Sequence, residues 1–330
     1  MRRHKFKILG TIVLLGLLFA GRLLWSLSPL TAEGSPVVVK VVAGESMSQI
    51  AADLQSHHVL SSTLAFKIDL ALFGSPIVRP GLYVIHQNSS HGAIRTALSA
   101  GPNANVLYLT PGMTVRQTWL QLATIKGAQY AKEFENLTVT TASHNSFGAP
   151  SLEGLLGTGA YIVQPNETPT QLLSQMKQRF LDQLRRVGIT PTTKMHGLNS
   201  YQLIIAASIV EKEGFYEKNM PQVARVILNR LKRGGGLQMD ATILYALQAD
   251  GVKVTPAMLQ IDSPYNTYKH PGLTPTPICQ VGSAALHAIV SPPEGKWLYF
   301  VVVDKSGTEA FAVTYQEHLA NIELARRRGL

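Results

Sequence analysis

NSYQLIIAASIVEKEG, residues 199–214, carries its own start and stop signals. Asn199 or Ser200 is an N-cap residue, Tyr201–Glu213 follows with helical spacing, and Gly214 ends the run. Counting back from Glu213 by three, four and seven positions meets Val210, Ile209 and Ala206, so its carboxyl group shares the apolar stripe. Glu211 stacks instead over Ala207, about 160° round the helix. A carboxyl group on an apolar face loses hydration, and the negative end of the helix dipole adds to that, so the pKa rises. The result is a group that holds its proton near neutral pH, as a general acid must. A solvated Glu-Lys-Glu end to an ordinary helix fits the periodicity equally well.

Working outward toward the C-terminus, the pattern predicts a helix over 221–233. It has Pro221 near its first turn, Val223, Ile227, Leu228 and Leu231 inward, and Gly234-Gly235-Gly236 as its stop. Leu237-Gln238-Met239-Asp240-Ala241-Thr242 then leads into a short helix through Tyr245 and Leu247. The turn-rich Ser263-Pro264-Tyr265-Asn266-Thr267-Tyr268 and the proline-rich Pro271–Pro277 make a long loop. Tyrosine rings stack on sugar faces and amides bond to hydroxyl and N-acetyl groups, so this loop suits a carbohydrate groove; a plain connecting loop is the simpler reading.

Toward the N-terminus, Gln171–Arg186 has helical spacing with a solvated basic face, and the Ser/Thr/Asn-rich 131–149 reads as an irregular loop. Asn105–Leu109 is a strand, followed by a helix over Val115–Leu122. Val37–Val42, a helix opened by Gly44-Glu45-Ser46, a second helix over Ser61–Leu72 and the strand Leu82–His86 form a βααβ unit, with a short helix over His91–Ser99 after it. Val39, Val41, Gly44-Glu45-Ser46, Ile50-Ala51 and Leu54 make an opening that resembles the LysM fold, which binds the N-acetylated sugars of peptidoglycan and chitin. A generic βααβ packing unit with no ligand fits the same residues. The chain contains no internal repeat and no low-complexity tract.

The first residues are of another kind. Met1–Lys7 is basic, and Ile8–Leu27 is apolar around one charge, Arg22. Twenty such positions span roughly 30 Å as a helix, the thickness of a hydrocarbon core. A cleaved signal peptide is the rival, but no small-residue cleavage site follows. The expectation is a single transmembrane helix over 8–27, a cytoplasmic tail over 1–7, a linker over 28–36 and an extracytoplasmic body, on the inside-positive rule.

Of the formal net charge of +10, residues 1–35 contribute +4 (Arg2, Arg3, Lys5, Lys7 and Arg22 against Glu33) and the other +6 is spread along the rest, a diffuse pattern that argues against nucleic acid. One cysteine, Cys279, excludes an internal disulfide framework and any CxxC site. The ten histidines form no HExxH, and the triple glycine lacks the Lys-Ser/Thr of a phosphate loop, so no metal, nucleotide or other cofactor is implied.

Ala207-Ser208-Ile209-Val210-Glu211-Lys212-Glu213, the VARVILNRL run 223–231, Leu237-Gln238-x-Asp240-x-Thr242, Tyr265-Asn266-Thr267-Tyr268 and Gly272-Leu273 stand in one order. Together with the anchor, the LysM-like module, Pro80-Gly81-Leu82-Tyr83 and Tyr315-Gln316-Glu317-His318, they resemble the YceG-like family of endolytic murein transglycosylases. The resemblance implies an α+β fold with a membrane helix, a LysM-like module over 37–104, an intermediate segment over 105–197 and a mixed α/β catalytic domain over 198–330 with a lysozyme-like glutamate helix. It implies Glu213 as the catalytic acid and Gln238, Asp240, Tyr265 and Asn266 as substrate contacts.

The implied reaction is endolytic cleavage of the MurNAc–GlcNAc β-1,4 bond of peptidoglycan with a 1,6-anhydroMurNAc product. It would act on nascent strands beside the cell-wall synthases, at the outer face of the plasma (inner) membrane. The chain departs from the family pattern at Glu153–Tyr161, at Thr274–Gly282, at Asn219 where an acid is common, and at Asp240-Ala241-Thr242 in place of Asp-Pro-Thr. These departures motivate the alternative of a membrane-anchored, non-catalytic peptidoglycan-binding scaffold. A water-using muramidase would need a second carboxylate, for which Asp240 is the motif candidate.

Overall fold

The computed structural model describes residues 34–142, 145–214 and 216–330. The segment expected to span a membrane, 8–27, lies outside them. Among the described residues no helix is long and apolar enough to cross a membrane. The chain is mixed α/β and divides into two compact units, one running to Val106 with Ile162–Asn166, the other comprising Leu107–Tyr161 and Glu167–Leu330.

In the first unit, β1 (Pro36–Val41) runs antiparallel to the strand Gly81–His86, with Pro36 opposite His86 and Val41 opposite Gly81. Between them lie α1 (Met47–Ser56) and α2 (Thr63–Phe73); the second strand is β2, and α3 (His91–Ala100) follows it. Each helix starts on a serine whose hydroxyl accepts a first-turn N–H: Ser46 from Gln49, Ser62 from Ala65 and Ser90 from Ala93. Val39 and Val41 alternate inward from β1 and Tyr83 and Ile85 from β2, as period two requires. They close over Ile50, Leu54, Phe66, Leu70, Ile94 and Leu98. The strand, two helices and strand expected from the pattern are all present.

The second unit takes in residues 107–109 of β3 (Asn105–Leu109) and 159–161 of its neighbour β4 (Gly159–Val163). α4 (Val115–Lys126) and α5 (Ala128–Thr140) pack together, and α6 (Pro169–Arg186) packs on α5. α5 occupies part of the stretch expected to be irregular. Ala131, Phe134 and Thr138 recur at helical spacing and are buried. The threonines that argue for a loop turn their hydroxyls back to the preceding turn, Thr138 to the Glu135 carbonyl and Thr140 to that of Asn136.

A hairpin of β5 (Lys194–Met195) and β6 (Leu198–Asn199) delivers the chain into α7 (Ser200–Glu213). Asn199 and Gln202 form a reciprocal capping box at its start. α8 (Met220–Arg233) and α10 (Ser283–Val290) both pack on α7, while α9 (Asp240–Leu247) and a 3-10 turn (Met258–Gln260) lie between them in sequence. β7 (Tyr299–Val302) and β8 (Glu309–Ala312) form an antiparallel hairpin that α11 (Tyr315–Arg327) covers.

Every side chain of α7 from Leu203 to Val210 is buried. The helix is therefore enclosed on all faces and has no single stripe, which corrects the expectation that Glu213 and Glu211 differ by facing inward and outward. Its stop also differs in cause. Gly214 has φ −79°, open to any residue. A Cβ there would come within 2.6 Å of Met220 Cγ, so the glycine supplies space.

Candidate active site

α7 carries both acids to the same end of a buried helix, and their surroundings distinguish them. Glu211 Oε2 accepts the Gly282 N–H at 2.8 Å and fastens the start of α10. Glu213 Oε1 accepts one backbone N–H, that of Ala241, at 3.2 Å. Burial pushes the Glu213 carboxyl up to about 7; the Ala241 N–H and the Arg230 guanidinium oppose this, and the charges of Asp240 and Glu309 reinforce it. Part of its surface remains open. A protonated, sparsely bonded carboxyl group at a buried helix end can give up a proton to a ligand at neutral pH.

The segment beside it is stitched together. Gly236 bridges in parallel to Gly272, the Gln238 N–H reaches the Thr267 carbonyl at 3.1 Å, and the Met239 N–H reaches Thr267 Oγ1 at 3.1 Å. The Thr242 and Thr267 hydroxyls, both buried, meet at 3.0 Å. Gly236 is the residue that fits, since a Cβ would lie 2.6 Å from the Thr267 carbonyl oxygen. Gln238 has φ +52°, a left-handed conformation that costs a glutamine roughly 1–2 kcal/mol and that this stitching holds.

Four residues are expected as substrate contacts, and the structure distributes them unevenly. Gln238 is exposed, and its amide makes no hydrogen bond among the described residues. Asp240 is exposed beside Glu213 and accepts the Tyr268 hydroxyl at 2.6 Å. Tyr265 lies apart from Glu213's immediate neighbours, its ring centroid 5.1 Å from that of Tyr245 and its hydroxyl 2.7 Å from that of Thr276. Asn266 is fully buried, donates to the Leu259 and Ile261 carbonyls at 2.9 Å and accepts the Tyr268 N–H at 3.0 Å. Its amide is thus committed to shaping the loop that carries Tyr265 and Tyr268.

Sequence reasoning misses two groups here and underrates a third. Arg230 of α8 donates to the Leu298 carbonyl at 2.7 Å and to that of Leu237, which holds a positive charge near Glu213. Glu309 of β8 is buried, and burial raises it to about 7 against a hydrogen bond from Asn219. A lone glutamate in a short strand gives no pattern that would single it out.

Glu153 enters the sequence reading only as part of a motif. It is buried, raised to about 7 by that burial, and accepts from the Val115 N–H at 3.1 Å, Gln280 Nε2 at 2.7 Å and the Tyr245 hydroxyl at 3.4 Å. Cys279 is fully buried and its thiol is raised well above the usual range, so it is no nucleophile. Among the described residues no group of three or more His, Cys, Asp or Glu side chains could hold a metal ion.

The raised carboxyls of Glu153, Glu213 and Glu309 have a consequence for stability. The folded chain keeps these protons up to about pH 7, whereas ordinary glutamates lose them near 4.5. Between those values the folded state binds more protons than the unfolded one, so stability falls as pH rises through the window. The melting temperature is expected to drop by several degrees from pH 5 to pH 8, with Glu213→Gln reducing the slope. A melting temperature that rises over that range would contradict these ionisation states.

Fold and site together define a mixed α/β protein built around one partly open, proton-holding glutamate. The chain belongs to the YceG-like family, whose model matches residues 39–324. An endolytic murein transglycosylase of Bacillus subtilis (strain 168) is 29% identical over 313 residues, covering 88% of this chain and 86% of that one. One from Streptococcus pneumoniae serotype 2 is 24% identical over 355 aligned positions, covering 96% of this chain, which spans 64% of that relative's length. The crystal structure of a yceG-like protein from Listeria monocytogenes superposes with a TM-score of 0.55 at 25% identity, over 86% of this chain and 98% of that one.

Proposed function

We propose that the chain is an endolytic murein lytic transglycosylase with Glu213 as its general acid. Family membership and the curated relatives support the activity. The observation that carries the residue assignment is the proton-holding Glu213 carboxyl with a single backbone donor beside exposed Asp240. The acid gives its proton to the oxygen of the MurNAc–GlcNAc β-1,4 bond, and that C–O bond breaks. The N-acetyl group of MurNAc stabilises the oxocarbenium-like centre. The Glu213 carboxylate then takes the proton of the MurNAc 6-hydroxyl as its oxygen bonds to the anomeric carbon. The anhydro ring closes, the acid is regenerated and no water is consumed. One carboxylate suffices because the substrate carries the nucleophile, already held close to its target.

Asp240 is the contact beside the acid, Gln238 and Tyr265 are further ones, and Asn266 shapes the loop that carries Tyr265. The first unit is the LysM-like module. The anchor over 8–27 holds the body at the outer face of the plasma membrane, beside the synthases that supply nascent strands, where cutting sets strand length. Mass spectrometry of soluble products from murein digested with residues 35–330 tests the reading. Ends in 1,6-anhydroMurNAc are expected. Reducing MurNAc ends would make the chain a hydrolase and bring Asp240 and Glu309 forward as the second carboxylate.

A further inference from the structure

A cavity of about 590 Å³ opens next to the Glu213 end of α7. Lys212, the residue before the acid, lines it. So do Leu244 and Tyr245, one turn along α9 from the Ala241 N–H that Glu213 accepts. Two elements that position the acid therefore also form walls of this cavity. Buried Glu153 and Ile278 mark its inner end and exposed Arg116 and Asp250 its mouth. The Tyr245 and Tyr265 rings form one wall with their hydroxyls engaged, on Glu153 and Thr276, so they offer an occupant ring surface rather than free O–H groups.

The charges at the mouth are unequal. Asp250 is held by Lys212 at 3.3 Å and by Gln117 at 2.7 Å. Arg116 forms no ion pair among the described residues and stands exposed. The mouth therefore presents an uncompensated guanidinium beside an ammonium whose charge is only partly offset, above mixed walls in which Leu244, Ile278 and the two tyrosine rings supply the apolar surface. Such a lining fits a short chain with apolar side groups and a carboxylate.

A glycan strand runs on in both directions and needs an open groove. A walled cavity beside that groove suits a branch. In murein the branch is the short peptide on the lactyl group of MurNAc, and that peptide ends in a carboxylate. We propose that this cavity binds the peptide branch of the strand, with Arg116 and Lys212 on a carboxylate and Leu244, Tyr245 and Tyr265 against its side chains. The inference rests on the strand-cleaving reading above and names which part of the substrate that site recognises.

Two measurements test it. Isothermal titration with synthetic N-acetylmuramoyl pentapeptide should show binding to the 35–330 body and to Glu213→Gln, weakened at least about tenfold in Arg116→Glu, as expected for reversing one charge of a carboxylate site. Absence of binding, or equal binding by Arg116→Glu, overturns the proposal whatever the activity. In parallel, kcat/KM is compared on peptide-bearing strands and on strands stripped by an amidase. Arg116→Glu should lower the preference for peptide-bearing strands about tenfold, and an unchanged preference overturns the assignment. If the unmutated body released no anhydro ends from either substrate, the strand-cleaving reading would fail, and the calorimetry would still decide whether the cavity binds the peptide.

Discussion

Glu213→Gln is expected to cut the release of anhydro products from murein by about 10²–10⁴-fold or more, the usual loss when a general acid is removed. The substitution keeps the shape of the side chain and an acceptor for the Ala241 N–H, which lies 3.2 Å from Oε1. What it removes is the transferable proton, so kcat should fall while strand binding persists. The variant should also be more stable than the parent at pH 8. At that pH the native carboxyl has lost a proton that its burial favours keeping, whereas an amide has none to lose. An activity loss joined to a stability gain separates a chemical role from a structural one. Near-parental turnover by Glu213→Gln would sink the assignment.

Glu153→Ala is expected to cost roughly 3 kcal/mol or more of folding stability, because three donors lose their common acceptor inside the protein. They come from distant parts of the chain: Val115 at the start of α4, Tyr245 in α9 and Gln280 before α10. Gln280 relays the connection, its side-chain oxygen accepting the Leu156 N–H at 2.9 Å and its backbone pairing with Gly112 and Met113. At roughly 2–4 °C per kcal/mol for domains of 150–250 residues, the melting temperature should fall by about 6–12 °C. Thermal unfolding followed by circular dichroism measures it. A shift below about 2 °C would mean that water replaces the carboxylate and that the hub is not structural.

Much of this fold is legible in the sequence because its signals are local. Ser46, Asn199 and Gly234 mark helix ends that the structure places within a residue or two, and the alternation of Val39 and Val41 marks a buried strand face. α5 is not legible, since Thr138 and Thr140 there satisfy their hydroxyls on the helix's own carbonyls and composition alone cannot reveal it. For the site, periodicity locates Glu213 at the end of α7 and rightly expects burial to raise its carboxyl, but it gives only part of what sets it apart from Glu211. The distinction lies in a partner seventy-odd residues away, the Gly282 N–H, which periodicity cannot see. Asp240 emerges beside the acid because local motif and tertiary neighbourhood coincide there. Asn266 does not emerge as a free contact because a buried amide and an exposed one look identical in a sequence. Arg230 and Glu309 reach Glu213 only through the packing of α8 and β8.

The enclosure of α7 has a consequence for how the molecule can breathe. A helix whose side chains from Leu203 to Val210 are all covered cannot shift or fray without opening the packing around it. The proton donor is therefore mounted on a part of the chain that should be among the last to open. Beside it, 236–242 and 265–272 are pinned in turn, by their mutual hydrogen bonds and by the burial of Leu237, Met239, Thr242, Asn266 and Thr267. The point of proton delivery is therefore fixed, and adjustment to a ligand is left to exposed side chains such as Gln238 and Asp240.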